Sequence, residues 1–340
     1  NDIVVLSRSH DGETDSLLTS RLVPREAVKL RFDKIFHNHI IGKRLRDVTT
    51  SIKGRQYRIT EPTLAEYTIL TPRLVTPIYP QDAAVIVNLL DLNPILPGSS
   101  QGPDETLEIF EAGTGHGALT LHLARAIQAA NTTPPSIPPP STAEELENAE
   151  QEANPEQKAY TAWLQTRRAI VQTLEISRRH SKHAEGIVKN YRNGMYYPHI
   201  NFHVGTIEDY LTPRLGSSPE PFFSHAILDL PKCNEYMELV AKGLKPGGSL
   251  LVFCPSVTQI NTCALDAKKA GLPLFLENVV ELGSSAGAGG REWDVRPVRP
   301  KAFLKAKAAE GEARKLGRET VEAVEESVGG DVAEESTASN

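Results

Sequence analysis

One short stretch limits the possible folds more than any other. Glu111-Ala112-Gly113-Thr114-Gly115-His116-Gly117 stands between TLEIF (106–110) and ALTLHLARAIQAA (118–130). The first run reads as a strand and the second as an amphipathic helix. Three glycines at alternate positions let the chain turn sharply and let its backbone come close to a ligand. The start of the next helix offers free N–H groups.

The alternation of strand and helix continues downstream. AIVQTLEI (169–176), HINFHVG (199–205), FSHAILDLP (223–231) and LKPGGSLLVFCP (244–255) read as strands, the last after a turn. Helices are predicted over 178–193, 234–243 and 257–270. FLENVVEL (275–282) and REWDVRPV (291–298) form a candidate closing pair. Strands alternating with helices imply a parallel, doubly wound α/β sheet. Upstream, residues 22–60 carry short β-favouring runs broken by turn signals, a small antiparallel unit. EPTLAEYTIL (61–70) offers a helical face, Pro72, Pro77 and Pro80 punctuate a loop, and Gln81–Leu92 reads as a buried helix.

Charge divides the chain further. The net charge is −6 over 340 residues, which spread evenly would argue against a nucleic-acid partner. It is not spread evenly. Residues 21–73 carry twelve bases against five acids, whereas 131–157 hold six glutamates and no base. Residues 1–20 and 304–340 are also acidic. The expected organisation is an acidic N-terminal segment (1–20), a small β-rich RNA-binding domain (21–75) and a Rossmann-like domain (76–303). An acidic, proline-rich surface insertion (131–160) interrupts the last, and a disordered charged tail (304–340) comes after it. No apolar run is long enough for a transmembrane helix, so no membrane partner is expected. Cys233, Cys254 and Cys263 form no CxxC pair and no disulfide framework.

The spacing of the glycine turn is GxGxG, not the GxGxxG of dinucleotide sites. Preceded by Glu111, it points to S-adenosylmethionine. Without a ligand it is simply a tight strand–helix turn. Glu175 ends the next strand, where a carboxylate can accept both ribose hydroxyls. Such acids lie roughly 20 residues on in comparable folds, and the insertion accounts for much of the extra distance here. Otherwise Glu175 is a solvated strand-end acid. Asp229 ends AILDLP, at the carboxyl edge where open α/β sheets place their crevice. A carboxylate there can accept a hydrogen from an exocyclic amine and hold a base in place. Its plainer reading is a cap for the next helix.

These segments resemble the catalytic-subunit type of tRNA (adenine-N1)-methyltransferases over roughly residues 35–300. The resemblance rests on FHNHIIGK (36–43), EPTLAEYTILTPRLVTPIYPQDAAVI (61–86), FEAGTGHGALTLHLARAI (110–127), LDLP (228–231), VTQI (257–260) and REWDVRPVRP (291–300). It is nearer the bacterial and mitochondrial branch than the cytosolic one. It implies a Rossmann-like methyltransferase sheet with a small N-terminal barrel-like domain, usually in homo- or heterotetramers. It also implies S-adenosylmethionine as cofactor, the T-loop adenine 58 of tRNA as target, ribosomal RNA as a further substrate of the mitochondrial branch, and a mitochondrial location, with cytoplasm or nucleus as the alternative. Mapped residue by residue, Glu111, Gly113, Thr114, Gly115, Gly117, Ala118, Glu175, Thr206 and Asp229 line the cofactor, and Asp229 with Tyr79 serves the target adenine. Thr206 stands where the family usually has an acid, and the stretch after Asp229 reads Lys232-Cys233-Asn234-Glu235-Tyr236.

Lys43, Arg44, Arg46, Lys53, Arg55 and Arg58 form a basic cluster suited to phosphates. Arg178, Arg179, Lys182 and Lys189 add a basic helix. No metal site is expected: His37 and His39 lack further ligands, and Cys233 reads as a small pocket-wall residue. Two other functions stay open, a non-catalytic RNA-binding or assembly paralogue and a methyltransferase for proteins or small molecules.

Overall fold

The chain opens with six short strands: β1 (Val5–His10), β2 (Glu13–Leu18), β3 (Ala27–Leu30), β4 (Asp33–Phe36), β5 (Val48–Thr50) and β6 (Gln56–Thr60). The computed structural model describes residues 2–10, 13–99, 105–137, 155–282, 291–292 and 305. Its contacts group Asn1–Glu292 as one unit and Trp293–Asn340 as another, and every strand and helix named here belongs to the first. Four strands form an antiparallel sheet in the order β2-β1-β6-β5, and β3–β4 is a separate hairpin. Along β6, Tyr57 and Ile59 point inward while Gln56 and Arg58 face solvent, the period-two pattern of a half-buried strand. Leu6, Ile35, Tyr57 and Ile59 share one small core with Val28 and Leu30, so the hairpin packs against the sheet.

This arrangement corrects the expected separation of residues 1–20. Leu6 pairs with both Leu17 and Ile59, so the N-terminal segment belongs to the β-rich unit. Among the described residues that unit is a sheet plus a hairpin, not a single closed barrel.

Helix α1 (Leu64–Leu70) starts in a capping box: Glu66 donates its N–H to the Thr63 hydroxyl, and its carboxylate takes the Thr63 N–H. The Tyr67 hydroxyl on α1 donates to the Ile187 carbonyl at 2.8 Å. Helix α2 (Pro80–Leu89) comes next, with proline at its first position, where a missing N–H costs nothing.

The second half is the predicted α/β alternation. The strands are β7 (Leu107–Ala112), β8 (Ala169–Glu175), β9 (Ile200–Val204), β10 (Phe223–Leu228) and β11 (Leu244–Val252). All four pairings among them are parallel, in the order β11-β10-β7-β8-β9. The chain builds outward from β7 through β8 to β9, then crosses back to β10 and β11. The order therefore reverses beside β7, and in open α/β sheets such a reversal puts the ligand crevice at the carboxyl ends of the strands, here β7, β8 and β10. β7 is covered on both faces from Glu108 to Ala112, as a central parallel strand must be. Helices α3 (Ala118–Ile127), α4 (Pro155–Gln165), α5 (Arg178–Asn190), α6 (Ile207–Ser217), α7 (Met237–Gly243) and α8 (Val257–Lys269) connect and cover the strands. The closing pair is a short ladder, β12 (Val280–Glu281) with β13 (Arg291–Glu292). Among the described residues no helix is long and apolar enough to cross a membrane.

Further expectations need adjustment. The insertion is pinned at both edges. Asn131, read as the start of an unstructured run, is buried, takes the N–H groups of Arg168 and Ala169, and donates to the Ala169 carbonyl. At the other edge α4 begins at Pro155, and Trp163 donates its indole N–H to the Thr132 hydroxyl at 2.9 Å. Residues 138–154 lie outside the described residues, as does the expected disordered tail apart from Lys305. Helix α6 is an element that the sequence reading lacks.

Helix α6 brings the half-buried Arg214 to a buried carboxylate of the sheet. Arg214 grips both oxygens of Glu108 at 2.7 Å, and Gln172 donates to the same carboxylate at 2.7 Å. The Arg214 guanidinium also lies 4.0 Å from the centre of the Phe222 ring. Replacing Arg214 by methionine strands a buried carboxylate and is expected to cost about 3 kcal/mol. Adding Glu108→Gln should restore most of that loss. Chemical denaturation of both variants checks it, and equal stability of the single and double variants would contradict it.

Candidate active site

The glycine turn is fixed from three sides. Gly113 donates its N–H to the Leu174 carbonyl at 2.9 Å, tying the turn to β8. Its φ is +100°, and a Cβ there would stand 2.0 Å from the Asp229 carbonyl oxygen. Only glycine lets the turn and the segment after β10 touch. Asp229 in turn donates its N–H to the Ala112 carbonyl at 2.9 Å. Gly117 (φ +83°) caps α3 in the left-handed conformation, and a Cβ there would meet the Ala184 methyl on α5 at 3.1 Å. No side chain caps α3, so its first N–H groups are left to the turn. Ala118, the first residue of α3, is buried.

Three carboxylates converge here. Glu175 is buried at the end of β8; one of its oxygens takes the Gly115 N–H at 3.0 Å and the other the Ser177 N–H at 3.1 Å. Two bonds leave about half of a carboxylate's accepting capacity free. Glu111 is fully buried and takes the Thr120 hydroxyl at 2.6 Å. Burial, aided by the charges of Asp229 and Glu175 and opposed by bonds from Thr120 and Thr173, pushes it up to about 7. Burial, then the charge of Glu175, pushes Asp229 up to about 6. Burial therefore favours the neutral form of both carboxyls, and a cation bound beside them would favour the ionised form. The Thr114 and Thr173 hydroxyls meet at 2.6 Å and close the floor.

The segment between α1 and α2, which the resemblance brings to the site through Tyr79, forms a wall beside the turn. The Thr71 hydroxyl meets His116 Nε2 at 3.1 Å, and His183 Nε2 meets the Pro72 carbonyl at 2.9 Å. A Cβ on Gly115 would touch the Val75 methyl at 3.4 Å. His116 is held near a pKa of about 4 by burial first, then by His183 and Arg73, so it is neutral at pH 7. Its Nδ1 is buried with no protein partner among the described residues. Tyr79 ends this segment half-exposed, with the Arg73 guanidinium 5.7 Å from its ring centre. In the sequence the prolines mark this segment as a loop, and its contacts with His116 and Gly115 come from the fold.

Thr206 also has a local role: its hydroxyl takes the Asp209 N–H at 3.1 Å and caps α6. The basic cluster is exposed throughout: Lys43, Arg44, Arg46, Lys53, Arg55 and Arg58 all face solvent on β6 and the loops beside β5. Lys43 donates to the Val48 carbonyl, and Arg44 lies 4.0 Å from Asp47. On α5, Arg178, Arg179 and Lys182 are exposed, while Lys189 pairs with Glu185 at 2.7 Å. His37 is buried, its Nδ1 taking the Val23 N–H at 3.0 Å, which gives it a structural role.

No family model matches the chain. The tRNA (adenine(58)-N(1))-methyltransferase TrmI of Thermus thermophilus is 28% identical over 243 residues, 72% of this chain and 69% of its own length. The TrmI of a second strain of that organism matches to the same extent. Two solved structures share the fold at 18% identity. A SAM-dependent O-methyltransferase from Thermotoga maritima has a TM-score of 0.55, covering 87% of this chain and 89% of its own. The tRNA (m1A58) methyltransferase TrmI from Aquifex aeolicus has a TM-score of 0.50, covering 87% and 93%. The resemblance carried by the motifs is therefore upheld along most of the chain.

Proposed function

We propose that this chain, a relative of the tRNA (adenine(58)-N(1))-methyltransferases, binds S-adenosylmethionine at the glycine turn and methylates N1 of the T-loop adenine of tRNA. The observation that carries the reading is the meeting of Glu175 and Asp229 on one glycine turn where the strand order reverses. The residues present fit the cofactor. The buried Nδ1 of His116, without a partner among the described residues, and the start of α3, which no side chain caps, supply polar groups beside the turn. The three carboxylates suit its sulfonium and ammonium charges.

When bound, the cofactor supplies an electrophilic methyl group. Glu175 has the spare lone pairs to hold the ribose hydroxyls. Asp229 accepts from the exocyclic amine of the target adenine and so aims N1, which already carries a lone pair and needs no strong base. Transfer leaves the base positively charged, and the ionised Asp229 carboxylate offsets that charge. The half-exposed Tyr79 offers a ring for an adenine that has left its stack. Transfer of labelled methyl to tRNA, followed by digestion to nucleosides, tests the reading: 1-methyladenosine supports it, and its absence with a folded protein opposes it.

Glu175→Gln keeps the shape but weakens ribose binding and the hold on Gly115. Calorimetry is expected to show a loss of ten- to a hundredfold in cofactor affinity, about 1.4–2.7 kcal/mol. Unchanged affinity would remove Glu175 from the site. The exposed bases on β6 and beside β5 are read as the grip on tRNA phosphates. The triple variant Arg46→Ala, Arg55→Ala, Arg58→Ala should weaken tRNA binding and flatten its log–log salt dependence by roughly 2–3, leaving cofactor binding unchanged. An unaltered salt slope would place the RNA elsewhere.

Tetrameric assembly follows from the family resemblance and is tested by light scattering after size exclusion. The mitochondrial location, and ribosomal RNA as a second substrate, rest on branch resemblance. Imaging of a tagged chain tests the first, and methylation of ribosomal RNA transcripts tests the second.

A further inference from the structure

The three cysteines stand far apart in sequence but meet in the fold. Cys233 opens a short 3-10 turn after β10, Cys254 comes just after β11, and Cys263 lies on α8. Cys233 Sγ is 3.7 Å from that of Cys254 and 3.6 Å from that of Cys263, and all three lie within 4.8 Å of one another. All three are free thiols, with Cys233 and Cys263 buried and Cys254 half-buried. Cys233 is thus more than a wall residue of the neighbouring pocket.

Packing alone does not explain this grouping. The thiols sit in an apolar cluster with Leu228, Met237, Val240 and Leu244, where any small apolar side chain would fill space. Thiols are weak hydrogen-bonding groups, so three together gain little from one another. The spacing does suit a metal. A tetrahedral zinc ion with Zn–S bonds of about 2.3 Å sets its sulfur ligands about 3.8 Å apart. Both measured separations fall just under that edge. They are also far longer than the roughly 2.05 Å of a disulfide.

We propose that Cys233, Cys254 and Cys263 form a three-thiolate zinc site whose fourth position opens on the half-buried Cys254 side. Each thiol releases its proton to solvent as its Zn–S bond forms, and nothing is oxidised or reduced. Three sulfur ligands select a soft or borderline ion over magnesium or calcium. The site joins the turn after Asp229 to the end of β11 and to α8. That turn already holds Lys232 at φ +57° and ties Asn234 to Asp266 through a 3.0 Å hydrogen bond. The ion therefore serves as a clamp on the segment that presents Asp229.

The test uses the full chain, purified under reduction and dialysed against zinc. Elemental analysis should find one zinc per chain. Cobalt(II) added to the metal-free chain should give the intense absorption of thiolate-to-cobalt charge transfer, bleached by zinc. Chelation should lower the melting temperature and expose three thiols to a thiol reagent. Cys254→Ser, at the most accessible position, should fold and lose at least tenfold in zinc affinity. Substoichiometric zinc with no cobalt–thiolate band overturns the proposal, as does a disulfide among the three in the freshly reduced protein. Tight copper(I) that zinc cannot displace overturns the choice of metal. None of these measurements depends on methyl transfer, so the site stands or falls apart from the enzyme reading.

Discussion

Replacing Asp229 by asparagine is expected to lower methyl transfer to tRNA by a factor of about a thousand, with cofactor affinity changed much less. Asparagine keeps the shape but loses the charge that offsets the cationic product, and it presents a donor where the adenine amine needs an acceptor. Loss of one such preorganised electrostatic contact typically costs roughly 10²–10³ in rate. The same variant should be more stable than the parent above pH 6. Asp229 is raised from its ordinary 3.8 to about 6, first by burial and then by the charge of Glu175. A carboxyl with a raised pKa adds stability below its ordinary value and loses that stability as pH climbs through 6. Neutral asparagine escapes that loss, so the gain at pH 8 is about 1–2 kcal/mol after allowing for partial exposure. Below pH 4 the advantage disappears. The parent enzyme's activity should fall as pH drops through about 6, as Asp229 takes up a proton. Thermal melts at pH 4 and 8 with single-turnover rates check both halves. A variant that is inactive but no more stable at pH 8 would mean that Asp229 already has a cationic partner.

Among the described glycines, Gly113→Ala should be the most damaging change to alanine. The added carbon would stand 2.0 Å from the Asp229 carbonyl oxygen and 2.9 Å from its carbonyl carbon, both of them backbone. Neither can swing aside as a flexible side chain would, and φ is already +100°. The turn or the β10 end must move, at an expected cost of about 4 kcal/mol or more. Cofactor binding should fail with it, because the same contact sets the distance between the turn and Asp229. Gly115→Ala makes the control. Its φ of +52° lies where other residues are found at a cost of about 1–2 kcal/mol, and its new methyl meets the Val75 side chain at 3.4 Å and the Gly113 carbonyl oxygen at 3.8 Å, both ordinary contacts. The expected order of melting temperatures is parent, then Gly115→Ala slightly lower, then Gly113→Ala far lower. Equal melting of the two variants would show that the 2.0 Å approach relaxes without cost.

These two residues also mark what a sequence displays and what it hides. Gly113 is legible because its constraint is local: a strand, three glycines and a helix in one run. Glu175 and Asp229 are legible because each ends an apolar strand, where open α/β sheets face their ligands. β1 and β2 are not, because polar residues dilute their apolar positions (Ser7, Arg8 and Ser9 in β1, Glu13 and Asp15 in β2), while Leu6 finds its core only through Leu17 and Ile59. Helix α6 hides for a similar reason. It is short, carries Pro213 inside, and buries only Ile207 and Leu211, so its periodicity is faint. Family position puts Thr206 on the cofactor; three residues on stands Asp209, and the pair also makes a capping box. The Thr71–His116 wall and the cysteine cluster depend on segments brought together by the sheet. Spacings of 21 and 30 residues within the cluster match no local motif.

The central reading is one of position as well as chemistry, and one measurement addresses both. A tRNA transcript is incubated with the chain and S-adenosylmethionine, digested to oligonucleotides and mapped by mass spectrometry. A matching transcript carries guanine in place of adenine 58. The expected result is a single added methyl on the T-loop fragment of the first transcript, converted to N6-methyladenosine by mild base, and none on the second. Methylation at another position, on a ribose oxygen, or equally on both transcripts would contradict it.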